Sequence, residues 1–282
     1  MAAVRTAGSV GDALGAATDA LAAAGVESPR LDAELLLAEA MGGDRGRLAA
    51  EPEAPVVPEA GRAFGAMVRR RLRREPVAYI LGRKGFRQIE LNVDRRALIP
   101  RPETELLVEV ALELRPARVL EVGTGSGAVA LALAAELPSV EVTGTDTSDE
   151  ALELARSNAA RLGLSERVRL LSGSLPAGER FDLLLANLPY VAESEWAGLA
   201  AEIRDWEPPA ALLAGPDGLA AIRGLLGAVG KAGAGTIAGA IALEVGAGHA
   251  GAVRDLLRDA GFAQTEARAD LAGIERVVLG RP

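Results

Sequence analysis

From Arg118 onwards, the sequence alternates short apolar segments with segments of helical periodicity. Repeated strand–helix units form a mostly parallel sheet with helices on both faces, so an α/β fold is predicted for this part of the chain. Right-handed crossovers then bring the loops at the carboxyl ends of the strands to one edge, where such sheets bind ligands. Strands are predicted at 118–122, 140–145, 168–171, 181–186, 241–245 and 275–279, and helices at 126–136, 148–161, 218–229 and 249–260.

The first part of the chain has a different pattern, and the full length of 282 residues leaves room for a second domain. Residues 1–75 show helical periodicity without strand-like alternation. Ser9 precedes an apolar face with helical spacing, which is typical of an N-cap followed by a helix. Ser28 and Pro29 mark the start of a second helix, and a third is expected near Pro58. The sequence therefore predicts a small helical bundle over this region.

The segment 76–100 changes character again. Apolar residues between Phe86 and Val93 alternate in part with polar ones, which indicates a short β-hairpin that links the two domains. The ligand-binding domain is then expected to occupy residues 101–282.

The last helix of the predicted bundle carries a run of arginines. All but one of the residues from Arg69 to Arg74 are arginine. Two interpretations are open: the run is a solvated helix face, or it is a docking patch for an acidic or RNA-mimicking partner.

Charge and composition exclude several classes of function. The net charge of −8 argues against nucleic acid as the main partner. The chain has no cysteine and one histidine, His249, which leaves little from which to build a metal site or a His-containing triad, so no metal is predicted. No segment is long and apolar enough for a membrane span. Val4 and Arg5 are followed by Gly and Ser without an apolar stretch, so we expect no secretory signal and a cytoplasmic location.

Three glycines directly follow the first predicted strand and precede a helix. Gly123, Gly125 and Gly127 permit positive φ angles and let a ligand approach the main chain. The dinucleotide fingerprint has the wider spacing G-x-G-x-x-G, whereas the spacing here is more typical of loops that bind S-adenosylmethionine. With Thr124 and Ser126 between them, these residues are predicted to form a cofactor loop.

Asp146 follows the next predicted strand and is the second candidate for cofactor binding. A carboxylate at that strand end can accept hydrogen bonds from both ribose hydroxyls, and a bond to a charged group is worth roughly 1.5–3 kcal/mol. The alternative is that Asp146, Thr147 and Ser148 form only a turn and a helix cap. Beside the glycine loop, cofactor binding is favoured. Glu121 either reaches the cofactor or substrate or is a solvated residue.

A loop of sequence Asn187-Leu188-Pro189-Tyr190 follows the strand predicted at 181–186. The Asn187 oxygen and one loop carbonyl are placed to accept both hydrogens of a flat NH2 group, on which Tyr190 can stack. Two such acceptors aim the nitrogen lone pair at a sulfonium methyl, so positioning supplies most of the catalysis, up to ~7–11 kcal/mol. The alternative is a tight loop without a chemical role. After a glycine loop and an acid, the pattern predicts methyl transfer from S-adenosylmethionine to a nitrogen.

These motifs together resemble the PrmC/HemK family of protein-(glutamine-N5) methyltransferases, which modify peptide chain release factors. The most specific segment is Ile-Pro-Arg-Pro-Glu-Thr-Glu at 99–105. The matching segments, which span nearly the whole chain, are 28–32, 76–82, 98–105, 121–127, 187–190 and 270–278.

The resemblance implies a Rossmann-like, seven-stranded, S-adenosylmethionine-dependent methyltransferase domain, preceded by an N-terminal helical bundle that docks the release factor and by a β-hairpin linker. It implies that the substrate is the glutamine of the Gly-Gly-Gln motif in class I release factors. Arg101 to Thr104 are expected to line the cleft. The implied cofactor-binding residues are Gly123, Thr124, Gly125, Ser126, Gly127, Asp146, Leu175 and Asn187. The implied substrate-binding residues are Asn187, Leu188, Pro189 and Tyr190, of which Asn187, Pro189 and Tyr190 take the catalytic roles.

One residue departs from the family pattern, which has Asn-Pro-Pro-Tyr where this chain has Leu188. The variant is typical of ribosomal RNA adenine dimethyltransferases, so an N6-adenine methyltransferase is the alternative enzyme. The acidic charge and the 99–105 segment count against it. A third hypothesis is a protein that binds the cofactor and a translation factor without turnover; the intact Asn187 and Tyr190 count against that one.

Overall fold

The computed structural model describes residues 8–282, apart from the side chains of residues 234 and 236. Residues 1–7, on which the expectation about a secretory signal rests, lie outside the described residues. The chain forms two compact units. The N-terminal unit contains the described residues up to Gly82 together with Ala201–Trp206, and the sheet unit contains Arg83–Ala200 and Glu207–Pro282. Among the described residues, no helix combines the length and the apolar character that crossing a lipid bilayer demands.

Helices and strands occur in the order that the sequence predicts for an α/β chain with a helical start. The helices are α1 (Val10–Ala23), α2 (Pro29–Met41), α3 (Arg45–Ala50), α4 (Pro58–Leu72), α5 (Val77–Leu81), α6 (Glu105–Leu114), α7 (Ala128–Glu136), α8 (Asp149–Arg161), α9 (Ala201–Arg204), α10 (Ala220–Ala232), α11 (Ala234–Ile237) and α12 (Ala250–Asp259). The strands are β1 (Arg83–Phe86), β2 (Ile89–Asn92), β3 (Arg118–Val122), β4 (Glu141–Asp146), β5 (Val168–Ser172), β6 (Phe181–Ala186), β7 (Ala238–Glu244), β8 (Gln264–Ala269) and β9 (Glu275–Arg281). Short 3-10 turns lie at Pro102–Thr104, Glu193–Gly198 and Pro209–Ala211.

The N-terminal unit begins with a capping box. The Ser9 hydroxyl accepts from the Asp12 N–H, and the Asp12 carboxylate accepts from the Ser9 N–H, each at 3.1 Å, so two of the free N–H groups at the start of α1 are satisfied. α2 has Pro29 in its first turn and ends at Gly42 with a left-handed φ of 63°. The apolar faces of these helices bury a common core that includes Leu14, Leu36, Leu37 and Phe64.

The arginine run on α4 matches neither of the two interpretations as a whole. Arg71 is buried, and it donates to the carboxylates of Asp32 at 2.7 Å and Glu202 at 2.6 Å. Arg74 forms a two-point contact with the same Glu202, and Arg70 does so with Glu75. These three arginines hold the unit together because they anchor a helix end and the short segment Ala201–Trp206. The exposed arginines of the run, to which a docking role can still apply, are Arg69 and Arg73.

The sheet unit is built on seven strands in the order β5-β4-β3-β6-β7-β9-β8. The strands from β5 to β7 are parallel, whereas β9 runs antiparallel to β7 and β8 runs antiparallel to β9. β3, β6 and β7 are the centre of the sheet, and their side chains form one apolar core with α10 and α12 that includes Leu120, Leu184, Ile241, Leu226 and Val253. The fold class predicted from the sequence is confirmed, and the strand ends shift by a few residues.

Besides the short helix α11, the sequence pattern did not predict β8 and α6 of the sheet unit. β8 reads Gln-Thr-Glu-Ala-Arg-Ala and is an edge strand that pairs with β9 and is only partly buried, so its sequence lacks the apolar alternation of an inner strand. α6 contains the apolar run Leu-Leu-Val, and a short apolar run does not distinguish a strand from a helix.

The hairpin predicted within 76–100 is formed by β1 and β2. Its residues belong to the sheet unit, where the Asn158 side chain bonds to both the N–H and the C=O of Asn92 at 2.8 and 3.0 Å. Arg87, in the turn, pairs with Glu136 at 2.8 Å. The units therefore divide the chain between Gly82 and Arg83, whereas the sequence analysis placed boundaries after residues 75 and 100.

Candidate active site

The glycine loop joins β3 to α7 and is held against the end of β4. The N–H groups of Gly123 and Thr124 both donate to the carbonyl of Thr145, at 2.8 and 2.9 Å. Gly123 and Gly125 have φ angles of 77° and 56°, a region that favours glycine. The loop thus turns away from the sheet and presents its main chain, as the sequence predicted for a loop that lies against a ligand.

Gly127 serves a different purpose from the other two glycines. It has a φ of 85° and caps α7, and a Cβ there would lie 2.9 Å from Leu131 and 3.3 Å from Ala155. Its missing side chain therefore allows α7 and α8 to approach each other closely, which is the packing role of the third glycine in related loops. Gly127 does not itself line the cavity described below.

Asp146 ends β4 and is bound on both carboxylate oxygens. Its Oδ2 accepts from the Gly125 N–H and its Oδ1 accepts from the Ser148 N–H, each at 2.9 Å. Ser148 in turn caps α8 by accepting from the N–H of Ala151. The turn and helix cap are therefore present, and Asp146 takes part in them. Cofactor binding by the same carboxylate stays a prediction, and the cap does not exclude it.

Glu121 is buried at the end of β3, so the interpretation of a solvated residue is wrong for it. Its Oε2 accepts from the Thr124 hydroxyl at 2.6 Å and from the Ala130 N–H at 3.0 Å. The pKa of Glu121 is raised to about 8, chiefly by burial and to a lesser extent by the nearby charge of Asp146, while the two hydrogen bonds act in the opposite direction. At neutral pH the side chain is therefore mostly a neutral acid under the glycine loop.

A cavity of about 500 Å³ opens at this edge of the sheet, entirely within the sheet unit. Its volume lies in the range of small-molecule sites, about 300–1,000 Å³. The predicted residues that line it are Gly123, Thr124, Gly125, Ser126, Asp146, Asn187, Leu188 and Pro189. Arg101 and Thr104, from the predicted cleft segment, line it too.

Asn187 directly follows β6, the strand that pairs with β3, and is half-buried. Its amide nitrogen donates to the hydroxyl of Thr104 at 3.0 Å. This bond uses one hydrogen of the amide group and leaves the side-chain oxygen of Asn187 available as an acceptor. Leu188 packs partly against the apolar core and lies over Gly123, where it would contact an added Cβ at 3.1 Å. In this chain the side chain of Leu188 lines the cavity at the position where the family pattern Asn-Pro-Pro-Tyr has its first proline.

Tyr190, unlike the three residues before it, is not among the residues that line the cavity. Its ring packs against Gly246, where an added Cβ would approach Tyr190 Cδ2 to 3.0 Å, and its carbonyl is in close contact with Gly218. Burial raises the pKa of the Tyr190 hydroxyl, and the charge of Glu244 contributes in the same direction. Stacking of this ring on a substrate amide stays a prediction.

Leu175 is likewise absent from the cavity wall. It packs against the apolar core, while its neighbours Gly173 and Ser174 reach the cavity. Ser174 is therefore better placed than Leu175 to make the cofactor contact that was predicted for position 175.

A buried carboxylate that the sequence pattern did not predict, Glu207, holds the segment that carries Arg101. Glu207 accepts from the main-chain N–H of Ile99 at 3.0 Å and pairs with the Arg101 guanidinium. The adjacent Pro208 lines the cavity. The signal available in the sequence was an acid before two prolines, which by itself indicates only a loop.

His249, the single histidine of the chain, is the residue before α12 and is half-buried. Its Nδ1 is buried and lacks a hydrogen-bond partner among the described residues. The ring packs near Gly246 and Gly218, so it supports the loop that carries Tyr190.

The residues present fit S-adenosylmethionine. A cavity of suitable volume has the main chain of a glycine loop on one side and the carboxylate of Asp146 at a strand end, the arrangement that suits a ribose. Ala151, Val129 and Leu225 supply apolar wall. The carboxylate retains acceptor capacity beyond its two main-chain bonds, since each oxygen has two lone pairs.

Two family models match the chain: the PrmC N-terminal domain at residues 12–82 and a methyltransferase domain at residues 119–209. Curated relatives share this arrangement over nearly their full length. A release factor glutamine methyltransferase of Cereibacter sphaeroides is 43% identical over 273 residues, which is 96% of this chain and 97% of the relative. Proteins of the same name from Caulobacter vibrioides and Bordetella pertussis are 41% and 44% identical over 94% and 89% of this chain, and over 93% and 94% of their own lengths.

Solved structures show a likeness of fold. The catalytic domain of human METTL16 in complex with a hairpin of the MAT2A 3′UTR aligns with a TM-score of 0.57 at 14% identity, over 68% of this chain and 74% of that one. The N-terminal domain of human METTL16 in complex with SAH aligns with a TM-score of 0.50 at 14% identity, over 68% and 75%.

Proposed function

This chain belongs to the family of release factor glutamine methyltransferases, and we propose that it methylates N5 of the glutamine in the Gly-Gly-Gln motif of class I release factors. The methyl donor is S-adenosylmethionine. The observation that supports the proposal for the site is the bond from the Asn187 amide nitrogen to Thr104, because it leaves the Asn187 oxygen available to accept from a substrate.

The cofactor side of the site is assigned to the glycine loop and Asp146. The main chain of Gly123 to Ser126 and the Asp146 carboxylate hold the donor in one orientation, with Ser174 as a further contact. When bound, S-adenosylmethionine supplies an electrophilic methyl group on a cationic sulfur, which is a good leaving group. The chain then has to bring the glutamine nitrogen to the methyl carbon and to exclude water.

The substrate side is assigned to residues 187–190. The Asn187 oxygen and the Leu188 carbonyl accept the two N–H groups of the glutamine amide, so the nitrogen lone pair points to the methyl carbon. An amide nitrogen is a weak nucleophile because its lone pair is delocalised, and two acceptors favour the pyramidal geometry of the transition state. In the overall reaction the nitrogen gains a methyl group and gives up one proton. Pro189 stiffens the loop, and Tyr190 supports it.

The N-terminal unit is proposed to dock the body of the release factor. Its exposed residues Arg69 and Arg73 are candidates for this contact, whereas Arg70, Arg71 and Arg74 are engaged inside the unit. A cytoplasmic location belongs to the same proposal, since translation factors act there.

Because Leu188 departs from the family pattern, one alternative remains: methylation of N6 of adenine in RNA or DNA. Leu188 retains the carbonyl that the clamp needs, and an adenine amine presents the same two N–H groups as a glutamine amide. The net charge of −8 does not suit a nucleic-acid substrate.

The test is mass spectrometry of a purified class I release factor after incubation with the protein and S-adenosylmethionine. A gain of one methyl group on the motif glutamine is expected, and none with the Asn187→Ala variant or with a release factor whose motif glutamine is replaced by glutamate. Transfer of labelled methyl to adenine, with the release factor unmodified, would overturn the proposal.

A further inference from the structure

The side chains of Asn187, Thr104 and Glu244 lie next to one another at the start of the loop 187–190. Thr104, which ends the turn before α6, accepts from the Asn187 amide nitrogen at 3.0 Å. The Thr104 hydroxyl also faces the carboxyl group of Glu244, the last residue of β7, and acts to lower the pKa of that group. β6 and β7 are paired neighbours, with Ala186 opposite Leu243, so Asn187 and Glu244 leave the sheet side by side.

Glu244 is unusual for a carboxyl group in such a place. Its side chain is buried, and its Oε2 has no hydrogen-bond partner among the described residues. Neither our assignment of the cofactor side nor that of the substrate side uses it. A buried carboxyl group with an unsatisfied oxygen costs stability, so its presence calls for a role in the site.

The donors and acceptors of these three side chains determine which group donates and which accepts in each contact. An ionised carboxylate only accepts, so Thr104 must donate its single hydroxyl hydrogen to Glu244. The Thr104 oxygen is then restricted to accepting, and the group that faces it must be a donor. Asn187 can meet this condition only with its NH2 group, which places its oxygen on the opposite side.

The orientation matters because the two ends of an asparagine amide have nearly the same shape but opposite hydrogen-bonding character. If the amide turned over, an NH2 group would face the NH2 group of the substrate glutamine, and two donors repel each other. We propose that Thr104 and Glu244 are positioning residues that hold the Asn187 amide with its oxygen towards the glutamine. This inference rests on the proposed function and deepens it.

The same three side chains imply that the rate of turnover depends on pH. The charged and titratable groups near Glu244 are Glu103, Arg101 and Arg276, and Tyr190 also lies close. Burial raises the pKa of Glu244 to about 7. The ionised form is the one that fixes Thr104, and the protonated form has a hydrogen to donate, which lets the Thr104 hydroxyl turn towards Asn187. Turnover is therefore expected to fall as the pH is lowered through about 7.

The experiment compares Thr104→Val, Thr104→Ser and Thr143→Val in single-turnover methylation of a release factor. Thr143 is a buried threonine of β4 that does not line the cavity and serves as the matched control. Thr104→Val is expected to slow methyl transfer by about 10- to 100-fold, the loss typical of a misplaced reacting group, with cofactor affinity and thermal unfolding close to wild type. Thr104→Ser keeps the hydroxyl and is expected to retain most of the rate.

The pH profile supplies a second, independent readout. In Glu244→Gln the acid limb of the transfer rate is expected to disappear, since glutamine does not titrate. A rate for Thr104→Val equal to that of Thr143→Val, or an acid limb unchanged in Glu244→Gln, would overturn the inference. Either result with an active wild-type enzyme leaves the proposed function intact, whereas a wild-type protein that does not methylate the release factor would reject the function itself.

Discussion

The carboxylate of Asp146 receives the N–H of Gly125 on one oxygen and the N–H of Ser148 on the other, both at 2.9 Å. The acid thus ties the glycine loop to the start of α8 before any ligand is considered. Its position at the end of β4 makes it the proposed ribose ligand as well. Shape of the loop and affinity for the cofactor are consequently expected to change together.

Asp146→Asn tests this coupling. An asparagine has one acceptor oxygen, so its NH2 group would face the N–H of either Gly125 or Ser148. We expect cofactor affinity to fall by roughly 10- to 100-fold, in line with the ~1.5–3 kcal/mol of a hydrogen bond to a charged group. Isothermal titration with S-adenosylmethionine measures it. Asp149→Asn, an exposed neighbour in α8, is the matched control, and equal affinities of the two variants would contradict the assignment.

Asn187→Ala separates binding from chemistry. The variant removes the proposed acceptor for the glutamine amide but leaves the glycine loop and Asp146 in place. Turnover is expected to be abolished, while cofactor affinity stays within about tenfold, or ~1.4 kcal/mol. Titration with the cofactor beside a turnover assay measures both, and activity that survives the substitution would rule out the clamp.

The part of the site that the sequence predicts is the part made by adjacent residues. Gly123 and Gly125 require positive φ angles between a strand and a helix, and Asp146 follows the neighbouring strand, so local pattern and strand order suffice to bring them together. Asn187 follows from the same rule. The fold class was predictable because short, largely apolar strands alternate with segments of helical periodicity.

What the sequence does not predict are partners that are distant along the chain. Glu207 accepts a hydrogen bond from the main chain of Ile99, and Glu244 lies beside Thr104. The residues next to an acid in the sequence do not show whether its side chain will be buried or which donor it will contact. The arginine run shows the same limit. Arg71 and Arg69 are alike in sequence, yet only Arg71 is buried between two carboxylates.

Glu121 makes stability depend on pH. Its pKa is raised from 4.5 to about 8 by burial, so the unfolded chain ionises it at a lower pH than the folded one. The resulting loss of stability is absent below about pH 4.5, grows as the pH rises from there, and is complete above about pH 8. Its size is about 1.4 kcal/mol for each unit between the two pKa values.

Glu121→Gln removes that titration and can still accept from Thr124 and Ala130. We expect the variant to be more stable than wild type at pH 8.5, with the difference shrinking at pH 5.5. Urea unfolding at both values measures it, with the exposed Glu166→Gln as the control. A difference between Glu121→Gln and wild type that does not change with pH would show that the carboxyl group titrates normally.

Arg71→Ala tests the role of the arginine run in stability. The Arg71 side chain is 7% exposed, and its partners Asp32 and Glu202 are 12% and 16% exposed. The substitution leaves the buried Asp32 carboxylate without its cation, whereas Glu202 keeps its contact with Arg74. We expect the free energy of unfolding of the N-terminal unit to fall by about 3–5 kcal/mol. The exposed Arg69→Ala is expected to change it by less than about 0.5 kcal/mol.

The measurement is urea unfolding followed by the fluorescence of Trp206, which lies in the N-terminal unit and donates to the Arg73 carbonyl at 3.3 Å. A Trp196→Phe background leaves Trp206 as the reporter, since the chain has two tryptophans. If Arg71→Ala and Arg69→Ala unfold at the same urea concentration, the buried ion pairs contribute no net stability. The run would then return to the interpretation of a surface kept for a partner, and Arg69→Ala would be the variant to examine for weaker binding of the release factor.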